Sequence, residues 1–220
     1  MHQTSGSNLE VKRLIKIPAL VTLAVTLMRL GGELLHGPRL LFNSASGGLG
    51  ALVGIVWLAP IFGVYFALKL VTAGHGPESP RRAVGLVFLG IAVVFVFSFA
   101  GSRLHLQQHF RERLIYLCMV VVAAALVAAP GWLALFRTLL AYAYAARIPV
   151  AILAFFALWR DWGTHYDALP PDLPEGMSLL AKYAWLGLLP QLIFWVATTI
   201  LAGMLFGSLA AAIARAARHS

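Results

Sequence analysis

Arg29 and Glu33 stand four residues apart inside an otherwise apolar stretch. On a helix that spacing puts both side chains on one face, where they can pair. A charge inside a membrane is expensive, at least about 2.5–3.5 kcal/mol on insertion scales, so intramembrane ionisable groups point to pairing or function. Arg147 repeats the pattern in a later apolar run, two residues before Pro149. It must face protein or a wet cavity, and Glu33 is a candidate long-range partner. Together Arg29, Glu33 and Arg147 are the polar groups expected along a solute or ion path.

A second constellation is histidine-rich. Glu33 and His36 have the Glu-x-x-His spacing of some carboxylate metal sites. His105 and His109 are four apart, and His165 lies in a later polar loop with Asp161 and Asp167. Imidazole and carboxylate are ordinary ligands of zinc or iron. If His36, His105, His109 and His165 meet at one membrane face, they could hold a transition metal. The tight His-Glu-x-x-His signature is absent, as are a Walker loop, Gly-x-Ser-x-Gly, Cys-x-x-Cys and Gly-x-Gly-x-x-Gly. Nucleotide hydrolysis, serine-esterase chemistry and dinucleotide binding have no support, and no paired histidines lie deep in two spans to ligate haem. The single cysteine, Cys118, sits in an apolar run and reads as a small hydrophobe.

The elements that carry these groups are membrane helices. Apolar residues make up 60% of the 220-residue chain and charged residues 11%, against roughly 45–50% and 25% in soluble domains. A globule of this size cannot hide that much apolar surface from water. The fold class is therefore all-α, a polytopic bundle of about six spans in one domain, residues 1–220. A span needs about 20 apolar residues, and the runs predict spans over 17–36, 49–72, 83–101, 114–129, 134–159 and 179–207. Residues 1–10 read as a loose polar start and the end as a basic tail. The run 134–159 is either one tilted helix or two pieces, because it holds Arg137, Arg147 and Pro149. Basic Lys12, Arg13 and Lys16 precede the first run as in a signal peptide, but Arg29 and Glu33 follow where a small-residue cleavage site belongs. The first run reads as an uncleaved span.

The net charge of +9 belongs mostly to span ends, which suits anionic lipid head groups and not nucleic acid. One set of loops and ends collects Lys12, Arg13, Lys16, Lys69, Arg81, Arg82, Arg137, Arg215 and Arg218; the other collects Arg39, Arg103, Arg111, Arg113, Arg160 and Lys182. The positive-inside rule then puts both termini in the cytoplasm of a bacterial-type inner or other plasma membrane. Gly50/Gly54 and Gly203/Gly207 offer small-residue faces for close helix approach, within the bundle or to a second copy. Pro60 and Pro149 fall at matching places if the chain is two inverted halves of three spans, and Pro190 interrupts the last run. Paired interruptions are a mark of transporter midplanes. The leading expectation is movement of a small solute or ion. The alternatives are a metal-dependent membrane enzyme working at the outer face, and a structural or assembly subunit of a membrane complex.

Overall fold

The computed structural model describes residues 3–45 and 52–217, with side chains from residue 11 onward. Among the described residues every regular element is helical. We number six: α1 Gln3–Leu34, α2 Leu58–Thr72, α3 Pro80–Arg103, α4 Phe110–Ala128, α5 Leu133–Arg160 and α6 Leu179–Ala216. All but α2 contain a stretch long and apolar enough to cross a bilayer, Val11–Leu34 being that of α1. The chain is a helical membrane bundle, as the composition requires.

Local sequence explains most boundaries. The Ser79 hydroxyl accepts from Arg82 N at 3.3 Å and Pro80 follows it, a capped start for α3. Pro130 and Gly131 close α4 through one 3₁₀ turn. Ser178 caps α6 by accepting from Ala181 N. Residues 3–10, expected to be loose, prolong α1 as helix. Residues 134–159 lie in one continuous helix despite Pro149, which settles the choice between one piece and two.

The second expected span is the clearest correction. Its helix is only Leu58–Thr72, 15 residues, a rise of about 22 Å against a hydrocarbon core of about 30 Å. Residues 52–57 are bends and turns. Leu52 N and Val53 N donate to Leu40 O and Leu41 O at 3.0 and 3.1 Å, tying this segment to the α1–α2 loop. Pro60 therefore sits in the first turn of α2, where no helical hydrogen bond is lost, and it no longer matches Pro149 in mid-helix. The expected pairing of interruptions between two halves is not present.

The helices alternate in direction. Thr22 meets Tyr142 and Glu33 meets His165, so α1 and α5 run parallel. The α3–α4 pair is antiparallel, with Gly131 against Ala83 and Gly101 against Tyr116. The tightest seam joins α2 to α6. A Cβ built on Gly63 would lie 2.5 Å from Gly203 Cα, and one on Gly207 would lie 2.7 Å from Gly63 O. Only glycine permits that backbone contact. The Gly203/Gly207 face, considered for a second copy, is thus filled inside the bundle by α2 and by Leu135 and Leu139 of α5. Gly50 lies outside the described residues. Around this seam Phe66, Val87, Ala124, Leu135, Leu139, Tyr142, Ile200 and Met204 form the main core.

Candidate functional site

Beside that core α1 carries a polar stripe. Thr22, Thr26, Arg29 and Glu33 follow one another at spacings of four, three and four, so they share a face. All four are buried, with 1–7% of their surface exposed. Thr22 Oγ1 donates to Pro18 O and Thr26 Oγ1 to Thr22 O, each at 2.8 Å. Helical threonines satisfy a buried hydroxyl in this way. Thr22 Oγ1 also lies 2.8 Å from the Tyr142 hydroxyl of α5.

The Arg29–Glu33 pair forms as the spacing predicts: Arg29 Nε donates to Glu33 Oε1 at 2.8 Å, and the Glu33 side chain is wholly buried. Arg29 Nη2 donates to Asn43 O at 3.0 Å. The long-range partner of Glu33 is His165, not Arg147. His165 N donates to Oε2 at 2.8 Å, and Nδ1 lies 2.7 and 2.8 Å from the two carboxylate oxygens. A carboxylate paired with Arg29 only accepts, so it selects the Nδ1–H tautomer.

The α5–α6 loop, residues 161–178, delivers His165 by local means. Asp161 ends α5 in the left-handed region, φ 52, and Gly163 follows at φ 68. Asp167 Oδ2 accepts from Gly163 N at 2.8 Å; its Oδ1 accepts from Thr164 N at 2.8 Å and from Thr164 Oγ1 at 2.6 Å. These bonds close a tight turn that aims the next backbone N–H at Glu33. Burial holds the His165 imidazole below its ordinary pKa, and the Arg29 charge acts the same way; Glu33 and Asp167 oppose them without reversing the direction. Burial likewise pushes the Tyr166 phenol up, so it stays protonated.

Arg147, with 6% of its surface exposed, occupies the middle of α5. Its Cζ lies 4.9 Å over the Trp195 ring, and Nη1 donates to Gln191 Oε1 at a long 3.4 Å. Among the described residues no carboxylate lies within salt-bridge distance of it. Gln191 and Trp195 belong to α6, where the ladder widens to π-helix over Tyr183–Leu188 and again over Pro190–Phe194. The wider turn, with i→i+5 bonding, carries Leu186, Gln191 and Trp195 to one side.

Arg29, Arg147 and His165 line a single cavity of about 200 Å³. Thr26, Tyr166, Gln191 and Trp195 add polar and aromatic wall; Val150, Ala154, Leu114 and Leu186 are among its apolar lining. Ile55 and Val56 of the non-helical 52–57 segment also line it. Irregular backbone at membrane depth is tolerated where it borders such a space. The two charged side chains in the lining are both guanidinium groups.

The other histidines do not join. His36, His105 and His109 are exposed, and among the described residues no three His, Cys, Asp or Glu side chains are placed to hold a metal. The expected convergence with His165 is not found among the described residues; two of these histidines instead end helices. His36 (φ 53) and His105 (φ 57) stop α1 and α3 in the left-handed conformation. The paired bonds His36 N→Glu33 O with Gly37 N→Gly32 O, and His105 N→Ser102 O with Leu106 N→Gly101 O, complete these stops. Histidine is one of the few non-glycine residues enriched there. Glu-x-x-His in this chain is a helix end.

Sequence reasoning missed Thr22, Thr26, Tyr166, Gln191 and Trp195. The threonines were legible, since they extend the Arg29/Glu33 face by whole turns. So was Gln191, an amide after Pro190 in an apolar run. Tyr166 and Trp195 carry no signal apart from their contacts.

Fold and site define a helical membrane protein with a polar, arginine-lined cavity walled in part by its α5–α6 loop. No protein-family model matches the chain, no curated protein matches it, and no solved structure matches it.

Proposed function

We propose that the chain moves a small solute across the membrane through the cavity between α1, α5 and α6. The observation that carries this reading is Arg147, a buried guanidinium in the cavity wall with no carboxylate within salt-bridge distance among the described residues. An ionisable residue inside the membrane points by default to a functional site. The π-helical stretch of α6 supports the same reading, since such interruptions are frequent at functional sites. Purified protein in liposomes, challenged with solute gradients on a solid-supported membrane, should give saturable currents or uptake that Arg147→Gln removes. Absence of flux for anionic, cationic and neutral solutes by folded, monodisperse protein would overturn it.

A second reading rests on the Glu33–His165 contact. A carboxylate that fixes Nδ1–H leaves Nε2 as a base beside the same cavity. The lining hydroxyls are Thr26 and Tyr166, a thin set for an enzyme. Turnover lost in His165→Asn with ligand binding retained would favour it over transport.

For orientation, we place both termini in the cytoplasm of a plasma membrane. The exposed Lys69, Arg81, Arg82, Arg137 and Arg215 cluster at the bundle end opposite His165, where they suit anionic lipid head groups.

A further inference from the structure

We infer that the cavity takes a small monoanion with an apolar body, of the monocarboxylate class. This deepens the transport reading and rests on the same cavity.

Charge sets the class. Arg29 is already matched by Glu33 at 2.8 Å. Asp167 has both carboxylate oxygens bound to its own turn and is not part of the lining. Burial and the Arg29 charge disfavour a charge on His165. Arg147 is the guanidinium in the wall with no carboxylate within salt-bridge distance among the described residues. One guest charge balances it, whereas a doubly charged phosphate monoester would leave a net negative charge in a low-dielectric site.

Geometry narrows the class further. Of the five N–H donors of Arg147, the described residues occupy one, through the 3.4 Å contact with Gln191. The planar fork matches a carboxylate in bidentate fashion. The Arg147 Cζ lies 4.9 Å over the centroid of the Trp195 ring, an aromatic wall beside the same charge. The Tyr166 phenol stays protonated and can donate. Thr26, Arg29 and His165 add further polar wall, and Phe110, Leu114, Val150, Ala154 and Leu186 give the apolar part that would meet the body of the guest. The volume of about 200 Å³ falls below the roughly 300–1,000 Å³ of sites for drug-sized ligands. A short aliphatic or single-ring carboxylate fits, and a sugar phosphate or nucleotide does not.

Gln191 gives a test that does not depend on deleting a buried charge. Gln191→Glu puts a carboxylate where the amide oxygen now lies, beside Arg147 Nη1, and fills the role assigned to the guest. Calorimetric titration of purified full-length protein with benzoate and butyrate should show saturable binding, with inorganic phosphate and tetramethylammonium silent. Arg147→Gln should weaken benzoate binding by roughly tenfold or more, the loss expected of hydrogen bonds to a charged group. Gln191→Glu should weaken it as much while keeping or raising the melting temperature, so misfolding cannot mimic the result. Unchanged benzoate affinity in Gln191→Glu, preference for phosphate, or no carboxylate binding to the native chain overturns the inference. Liposome flux of a neutral or cationic solute without carboxylate binding defeats the ligand class and leaves transport standing. Benzoate binding without flux of any solute does the reverse.

Discussion

Removing Glu33 is the sharpest perturbation of this bundle. Its side chain is fully buried and accepts from Arg29 Nε, His165 N and His165 Nδ1 at 2.7–2.8 Å. Glu33→Ala strands the Arg29 guanidinium, leaves the His165 backbone N–H and Nδ1 without their acceptor, and opens a hole where the carboxylate stood. Breaking a buried pair by deleting one member destabilises by roughly 3–5 kcal/mol. Each orphaned buried donor adds about 1–3 kcal/mol if water does not reach it. The cavity beside His165 lets water reach part of the group, so the lower figure, about 3–5 kcal/mol in all, is expected. The assay is thermal and denaturant unfolding in detergent, with Glu78→Ala as control, because Glu78 is exposed in the α2–α3 loop. Glu78→Ala should lie within about 0.5 kcal/mol of the native chain. If the stranded charge dominates, Arg29→Met combined with Glu33→Ala should recover part of the loss. Equal melting of Glu33→Ala and Glu78→Ala, or additive damage in the double variant, refutes the reasoning.

Three further outcomes follow from other parts of the molecule. His165 has a depressed pKa in the folded state, so its contribution is present above the ordinary imidazole value of about 6.5. It is lost as pH falls from there toward the folded value, because the unfolded chain takes up the proton first. Melting temperature should therefore drop on mild acidification and flatten in His165→Asn; a rise with acid contradicts the direction. Gly63→Ala drives a methyl into the Gly203 backbone 2.5 Å away and should destabilise by about 1–3 kcal/mol, whereas Gly85→Ala, with open space around it, should be neutral or stabilising in unfolding experiments. Ser79→Cys should be labelled by an impermeant thiol reagent only from the cytoplasmic side, and labelling from outside reverses the proposed orientation.

Composition and hydropathy are enough to give the class of fold. Five of six expected spans appear as long helices, because length and hydropathy are local properties that a bilayer reads directly. Ser79, Pro80, Pro130 and Ser178 mark helix boundaries for the same local reason. The Arg29–Glu33 pair was legible too, since both residues lie on one helix and spacing fixes their contact. Contacts between distant segments carry no such local mark. Hydropathy could not show that residues 52–57 leave the helix, because their apolar side chains suit a cavity wall as well as lipid. Four histidines of equal chemistry were separated by backbone: two adopt left-handed helix stops, one starts α4, and only His165 is carried to Glu33, by a turn that Asp167 holds. Arg147 was visible as an expensive charge, but its neighbours Gln191 and Trp195 lie more than forty residues away in sequence. They reach it only where the α6 ladder widens, and no local rule records which side of a distant helix faces a given arginine.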